Sequence, residues 1–309
     1  MFFHDLQCRS GFGDRLLDLW AAAAIARLHE PAAPMSVCWH PGLDYLGFTG
    51  TYASKLFSME RCEFAKRPPS DARPVAEGFS DVALNDEGIA SLASGARQVI
   101  LRGGANWGTN CPEQLHDDAS FYGLDSSVTL DEIVASYREQ ARRMAPSASI
   151  ERAIPEDIGQ RVGVHVRLWD KLVDEENSFE MSSETWRAIE LSASLYIERC
   201  IDRGEPLFVC SDDIQYRDAL VADIRAKGGD AAVVTARPRL RRPEGFDALA
   251  DFFALSRCAR VVQMTKYSTF SIAAALVGGL PLVNFFEDDR GTGHRLELWQ
   301  RTLGEVSAA

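Results

Sequence analysis

Short apolar runs alternate with longer segments of helical apolar spacing throughout the second half of the chain. The runs "RVGVHVR", "PLFVCS", "AAVVTA", "RVVQM" and "PLVNFF" predict strands, while "SETWRAIELSASLYIERCIDRG", "IQYRDALVADIRAKGG", "ALADFFALSRCA" and "STFSIAAALVGG" predict helices between them. Strand and helix in strict alternation is the pattern of parallel strands joined by crossover helices, so the fold class is α/β, with a doubly wound sheet in this half. In the first half, Phe2 to Cys8, Met35 to His40 and Gln98 to Gly104 predict strands. A helix is expected from about Asp14 to His29, and a second over Leu130 to Met144, with acids in its first turn and arginines in its last, as the helix dipole favours.

Between the halves, "APSASIERAIPEDIGQ" (Ala145 to Gln160) is polar and broken by prolines, and reads as a linker. A chain of 309 residues with 46% hydrophobic content is at the size where one core usually splits into two. The expected domains are therefore residues 1–150 and 151–309. A net charge of -12 argues against nucleic acid or an anionic membrane surface as the principal partner. The seven cysteines are scattered, with no CxxC pair, as expected of reduced thiols in a cytoplasmic protein. The most apolar segment, Leu16 to Leu28, is interrupted by Asp18 and Arg27 and is shorter than the ~20 residues a membrane span requires, so none is expected.

Open parallel sheets bind ligands beyond the carboxyl ends of their strands. Three clusters fall there: His165/Arg167/Asp170/Lys171 in "GVHVRLWDK", Ser211/Asp212/Asp213, and Ser268/Thr269/Ser271. Each also has an ordinary structural reading. A strand-end arginine serves as an ion-pair partner, "SDD" caps the helix that follows, "YSTFS" starts another, and His165 inside a strand reads as a hydrogen-bonded core residue. Together, a guanidinium and a hydroxyl-rich helix start would face a phosphate from two sides, because the planar arginine fork and the free N–H groups of a first turn both suit anionic oxygens. Gly11 and Gly13 in "SGFGDRL" offer a tight turn at a helix start, but Leu16 stands where a dinucleotide fingerprint requires a third glycine, which disfavours an NAD-linked oxidoreductase. No aspartates stand at i and i+2, so the metal-holding DxD element is missing and no metal is expected.

These segments resemble the α1,2/α1,6-fucosyltransferase superfamily, which includes nodulation-type and core fucosyltransferases. "GVHVRLWDK" is similar to their His-x-Arg-Arg-x-Asp motif, "LFVCSDD" to a second motif, "LADFFALSRCARVVQMTKYSTFSIAAAL" to a third, and "SGFGDRLLDLWAAAAIARL" to the glycine-turn helix of nodulation-type members. The resemblance covers roughly residues 8–28 and 161–280. It implies a GT-B architecture of two Rossmann-like doubly wound domains with a cleft between them, the acceptor side first and the donor side second. It further implies inverting, metal-independent transfer of fucose from GDP-fucose to a glycan hydroxyl.

By position, Arg167, Asp170 and Glu175 match the catalytic set, Arg167 contacting the donor diphosphate and Glu175 standing where a general base is proposed. Gly11, Gly13, His165, Lys171, Asp212, Asp213, Asp251, Ser268 and Thr269 match donor-binding positions. Leu168 and Trp169 depart from the motif, Leu168 replacing its second arginine; the arginines of "ARPRLRRP" (Arg237 to Arg242) are a candidate substitute cation, or else a solvated loop. The alternatives left open are a nucleotide-sugar-binding protein without turnover and a transferase using another nucleotide-sugar. The final segment, "GHRLELWQRTLGEVS", reads as a helix that in related folds crosses back to the first domain.

Overall fold

The computed structural model describes residues 2–6, 11–32, 34–39, 50–65, 73–77, 99–103, 111–117, 119–168, 181–234, 245–285, 299, 302–303 and 306–308. The chain divides into two compact units, Met1–Ser147 with Pro243–Gly245, and Ala148–Arg242 with Phe246–Ala309.

The first unit holds β1 (Phe2–Leu6), α1 (Phe12–His29), β2 (Met35–Trp39), α2 (Gly50–Leu56), β3 (Phe57–Met59), β4 (Cys62–Ala65), β5 (Arg73–Glu77), β6 (Val99–Gly103), α3 (Pro112–Asp117), α4 (Leu130–Arg142) and β7 (Met144–Pro146). Its sheet runs in the order β5-β6-β1-β2-β4-β3-β7. The first five of these strands are parallel, and β3 pairs antiparallel with both β4 and β7. The predicted strands correspond to β1, β2 and β6; β3, β4, β5 and β7 were not predicted. Two of them, β5 and β7, carry Pro74 and Pro146 and lie at the sheet's two edges, where a missing N–H leaves no ladder bond unmade. The turn between β3 and β4 is Glu60-Arg61, with Arg61 at φ 61°, a conformation usually given to Asn or Gly in tight hairpins. Its cost is offset locally, since the Arg61 carbonyl accepts the Met35 N–H at 3.0 Å and the Arg61 guanidinium donates to the Pro31 carbonyl at 3.2 Å.

α1 is buried almost throughout, and its charged residues Arg15 and Asp18 are buried with it. The Arg15 guanidinium lies 4.4 Å from the Trp39 ring centroid, and Asp18 stands 3.4 Å from His4 Nε2. α4 begins with a capping box, Thr129 accepting from the Glu132 N–H and Glu132 accepting from the Thr129 N–H. It packs on α1, with the Tyr137 hydroxyl donating to the Leu17 carbonyl at 3.0 Å.

The segment that reads as a linker is structured and belongs to the second unit from Ala148 onward. It forms α5 (Ala148–Glu151) and a 3-10 turn at Ile158–Gln160. Ile150, Ile154 and Ile158 recur every fourth position and are buried, so the apolar spacing outweighs the prolines and charges around it.

The second unit continues with β8 (Val162–Val166), α6 (Ser183–Asp202), β9 (Leu207–Ser211), α7 (Ile214–Ala226), β10 (Ala231–Ala232), α8 (Phe246–Leu255), β11 (Arg260–Met264), α9 (Thr269–Gly278), β12 (Leu282–Asn284) and β13 (Val306–Ala308). All neighbouring strands pair in parallel, in the order β10-β9-β8-β11-β12-β13. Counted from β8, this is the 3-2-1-4-5-6 order of the Rossmann sheet, whose direction of winding reverses between its first and fourth strands. Here that point lies between β8 and β11. The segment expected to form the last helix lies largely outside the described residues, and the described chain ends with β13 on the edge of this sheet.

Every residue of β8 is buried, because helices cover both faces. Val162, Val164 and Val166 join a core with Trp186, Ile189 and Ala193 of α6 and Ile224 of α7. On the opposite face, a Cβ at Gly163 would lie 2.6 Å from Leu255 Cδ1 and 2.9 Å from Cys258 Sγ, so the strand meets the end of α8 at a distance only glycine allows. Gly163→Val is expected to lower the unfolding free energy by roughly 1–3 kcal/mol, the usual cost of overpacking. Urea denaturation measures this, and a midpoint equal to that of the parent chain would contradict the close approach.

Candidate functional site

The reversal point of the second sheet places two chain segments side by side. Val166, the last residue of β8, is registered against Met264, the last residue of β11. Arg167 leaves the first strand, and Thr265 to Ser268 lead from the second into α9. Ser268 is the N-cap residue of α9, yet its side chain makes no capping bond, so the first-turn N–H groups are not closed off by their own cap.

His165 fastens the two segments together. Its Nδ1 is joined to Ser271 Oγ, in the first turn of α9, by a hydrogen bond of 2.6 Å. Its ring stacks on Phe270 with centroids 4.9 Å apart, and Phe270 in turn meets Phe252 of α8 edge-on. Burial, reinforced by the nearby Arg167 charge, pushes the imidazole down to about 3, so it is neutral in the folded protein. A neutral, buried, doubly held imidazole positions neighbouring elements.

Arg167 is partly exposed, with its Nε 3.3 Å from Asp212 Oδ2. The other oxygen of the same carboxylate, Asp212 Oδ1, accepts the Leu168 N–H at 2.9 Å. Asp213 is the N-cap of α7, accepting the Tyr216 N–H at 2.9 Å, and Ser211 Oγ accepts the Asp213 N–H at 3.1 Å. The "SDD" cluster therefore divides its work: Asp213 caps a helix while Asp212 faces β8. Leu168 is buried in the hydrophobic core that also holds Met181 and Trp186.

Asp251, on α8, keeps some exposed surface, but burial of its carboxyl raises it to about 7; the Arg217 charge opposes this and Asp247 reinforces it. Cys210 on β9 is pushed well up by burial and by the charge of Asp251, which places the thiol and the carboxyl in one neighbourhood.

The structure thus brings His165, Arg167, Asp212, Ser268 and Thr269 to the carboxyl end of one sheet, with Asp213 capping the adjacent helix. Gly11 and Gly13 lie in the first unit, at the start of α1. Asp170, Lys171 and Glu175 lie outside the described residues, as do Trp169 and the arginines between 237 and 242. Phe270 and Arg217 were not singled out from the sequence. A phenylalanine in a helix start carries no distinguishing pattern, and its contact joins elements about a hundred positions apart.

The chain holds a doubly wound sheet of this order and a second α/β unit, and comparison with solved structures shows the GT-B fold. The chain is similar to the fucosyltransferase NodZ from Bradyrhizobium, at 17% identity and a TM-score of 0.55, over 94% of this chain and 96% of that one. The NodZ α-1,6-fucosyltransferase crystal soaked with GDP-fucose matches at 17% identity and a TM-score of 0.53, over the same shares of each chain. POFUT1 in complex with GDP matches at 12% identity and a TM-score of 0.50, over 89% and 94%. No family model and no curated protein sequence matches the chain. No helix among the described residues is long and apolar enough to cross a membrane.

His165 and Asp251 give stability opposite pH dependences. His165 resists protonation in the folded state, so its contribution is present above its ordinary value of 6.5 and is lost as pH falls from there toward about 3. Asp251 holds its proton in the folded state, so stability falls as pH rises from its ordinary 3.8 through about 7. In Asp251→Asn the second slope should vanish. Chemical denaturation between pH 4 and 8 should then show stability rising with pH more steeply than in the parent; an unchanged profile would refute the raised carboxyl.

Proposed function

We propose that the protein is a GDP-fucose-dependent fucosyltransferase that transfers the sugar to a glycan hydroxyl with inversion and without a metal ion. One observation carries this reading. At the strand-order reversal of a sheet sharing the fold of solved fucosyltransferases, the Arg167 guanidinium and the uncapped start of α9 emerge from adjacent strands clasped by His165. A departing nucleoside diphosphate develops negative charge on its bridging and terminal oxygens. A planar fork on one side and first-turn N–H groups on the other would stabilise that charge without a cation, provided both are fixed in advance. Ser268 and Thr269 would add hydroxyl donors, Lys171 a second charge, and Asp251 a partner for the base or ribose. Inversion requires a base at the acceptor hydroxyl, a role we assign to Glu175, with Asp170 as the other candidate carboxylate. Among the described residues, the thiols of Cys62, Cys200, Cys210 and Cys258 are not joined in disulfides, which supports a cytoplasmic setting.

A binding protein without turnover is the second reading. Leu168, where the family motif has its second arginine, is committed to the hydrophobic core and supplies no charge.

Thermal-shift titration with GDP, UDP, ADP and NAD tests the donor. GDP alone is expected to raise the melting temperature, since only a ligand bound to the folded state stabilises it. Arg167→Ala should remove that shift and cut transfer from GDP-fucose by about 100-fold or more, as loss of a charge-stabilising donor does. The ligand-free melting temperature should hardly move, because a partly exposed ion pair contributes only about 0–1 kcal/mol. Normal turnover in this variant would overturn the donor site, and silencing by a chelator with recovery on magnesium would overturn the metal-free mechanism. GDP-fucose binding without transfer or hydrolysis would favour the second reading.

A further inference from the structure

We propose that Asp212 is a positioning residue that acts through Arg167, and that the ligand does not contact it. The inference rests on the reading of Arg167 as the diphosphate grip. A carboxylate next to an anion-binding arginine repels the anion, so its presence there needs a reason, and the geometry supplies one. The two oxygens of Asp212 address consecutive residues: Oδ2 stands 3.3 Å from Arg167 Nε and Oδ1 accepts the Leu168 N–H at 2.9 Å. One group therefore fixes both the backbone where the chain leaves β8 and the orientation of the guanidinium that springs from it.

The Leu168 side chain completes the brace. It is buried in the core with Met181 and Trp186, so the residue after Arg167 is held by apolar packing through its side chain and by Asp212 through its N–H. Asp212 is itself anchored by its neighbours, because Ser211 Oγ accepts the Asp213 N–H at 3.1 Å and Asp213 caps α7. Without Asp212 the Arg167 side chain, long and at a strand end, would keep more rotamer freedom to lose on each binding event. Ordering it beforehand reduces that cost and sets the fork in place before the ligand arrives.

This predicts a sign that simple charge counting does not. Asp212→Asn removes a negative charge beside the grip, which alone would tighten GDP binding. A positioning role requires the reverse: GDP should bind about three- to tenfold more weakly because the fork is no longer held. Calorimetric titration of GDP into the parent chain, Asp212→Asn, Arg167→Lys and the double variant decides it, with melting temperatures confirming that the isosteric variants fold.

The weakening should disappear in the Arg167→Lys background, since lysine has no Nε–H for Asp212 to hold. Equal weakening in both backgrounds would show direct ligand contact, and unchanged or tighter binding in Asp212→Asn would show a charge without a positioning role; either overturns the proposal. If Arg167→Lys and Arg167→Ala both bind GDP as the parent does, the donor-site reading itself falls. If they weaken binding while the Asp212 effect is independent of Arg167, only the positioning role is lost.

Discussion

The hydrogen bond between His165 and Ser271 joins elements whose separation along the chain is 106 positions, and the candidate site depends on it. A parallel sheet fixes the spacing of its strands but leaves the helix that follows each strand free to pivot on its connecting loop. His165 removes that freedom at the loop that matters. It reaches from the strand that leads into Arg167 to the first turn of the helix whose N-cap side chain makes no capping bond, and the stack of His165 on Phe270 and Phe270 on Phe252 extends the clasp to α8. Burial that keeps the imidazole neutral is what makes it a stable clasp across physiological pH.

β8 is held at both ends by polar groups within an apolar body. Before it, the Arg161 guanidinium donates to Asp157 at 2.9 and 2.6 Å, to Asp230 at 3.0 Å and to the Leu207 carbonyl of β9 at 3.1 Å. After it stand His165, with Ser271, and Arg167, with Asp212. Between them the valines and Gly163 present only apolar or bare backbone surface to α6, α7 and α8. The first unit also buries ionisable groups, with Asp18 of α1, raised by desolvation, beside His4, and Arg15 of α1 over the Trp39 ring. In each unit, ionisable groups have been drawn inside where the chain must hold one geometry.

The second unit was largely legible because its strands are short, mostly buried apolar runs separated by longer helical segments, so pattern and structure agree from β8 to β12. The first unit was less so. Its short strands β3 and β4 turn at Glu60-Arg61, which carries none of the usual hairpin residues, and β5 and β7 contain prolines that in sequence read as breakers. The stretch from Ala145 to Gln160 read as a linker because prolines and charges dominate its composition, while Ile150, Ile154 and Ile158 anchor it. Arg15 and Asp18 were visible as charges in a helix, but not as buried ones, since burial depends on what packs around the helix.

Local chemistry written into the sequence determined the alternation of elements, the class of fold, and the presence of His165, Arg167, Asp212 and Ser268 at strand ends. Those features need only the periods of helix and strand and the preference of caps and turns for particular side chains. The order β10-β9-β8-β11-β12-β13, and with it the reversal point that sets the end of β8 beside the end of β11, was decided by the tertiary structure. So was the partition of "SDD", one aspartate turned to a helix end and the other to β8, and the commitment of Leu168 to the core. Strand order and pairing arise from packing between segments distant in the chain, where a side chain's partner is chosen by the shape of the whole sheet.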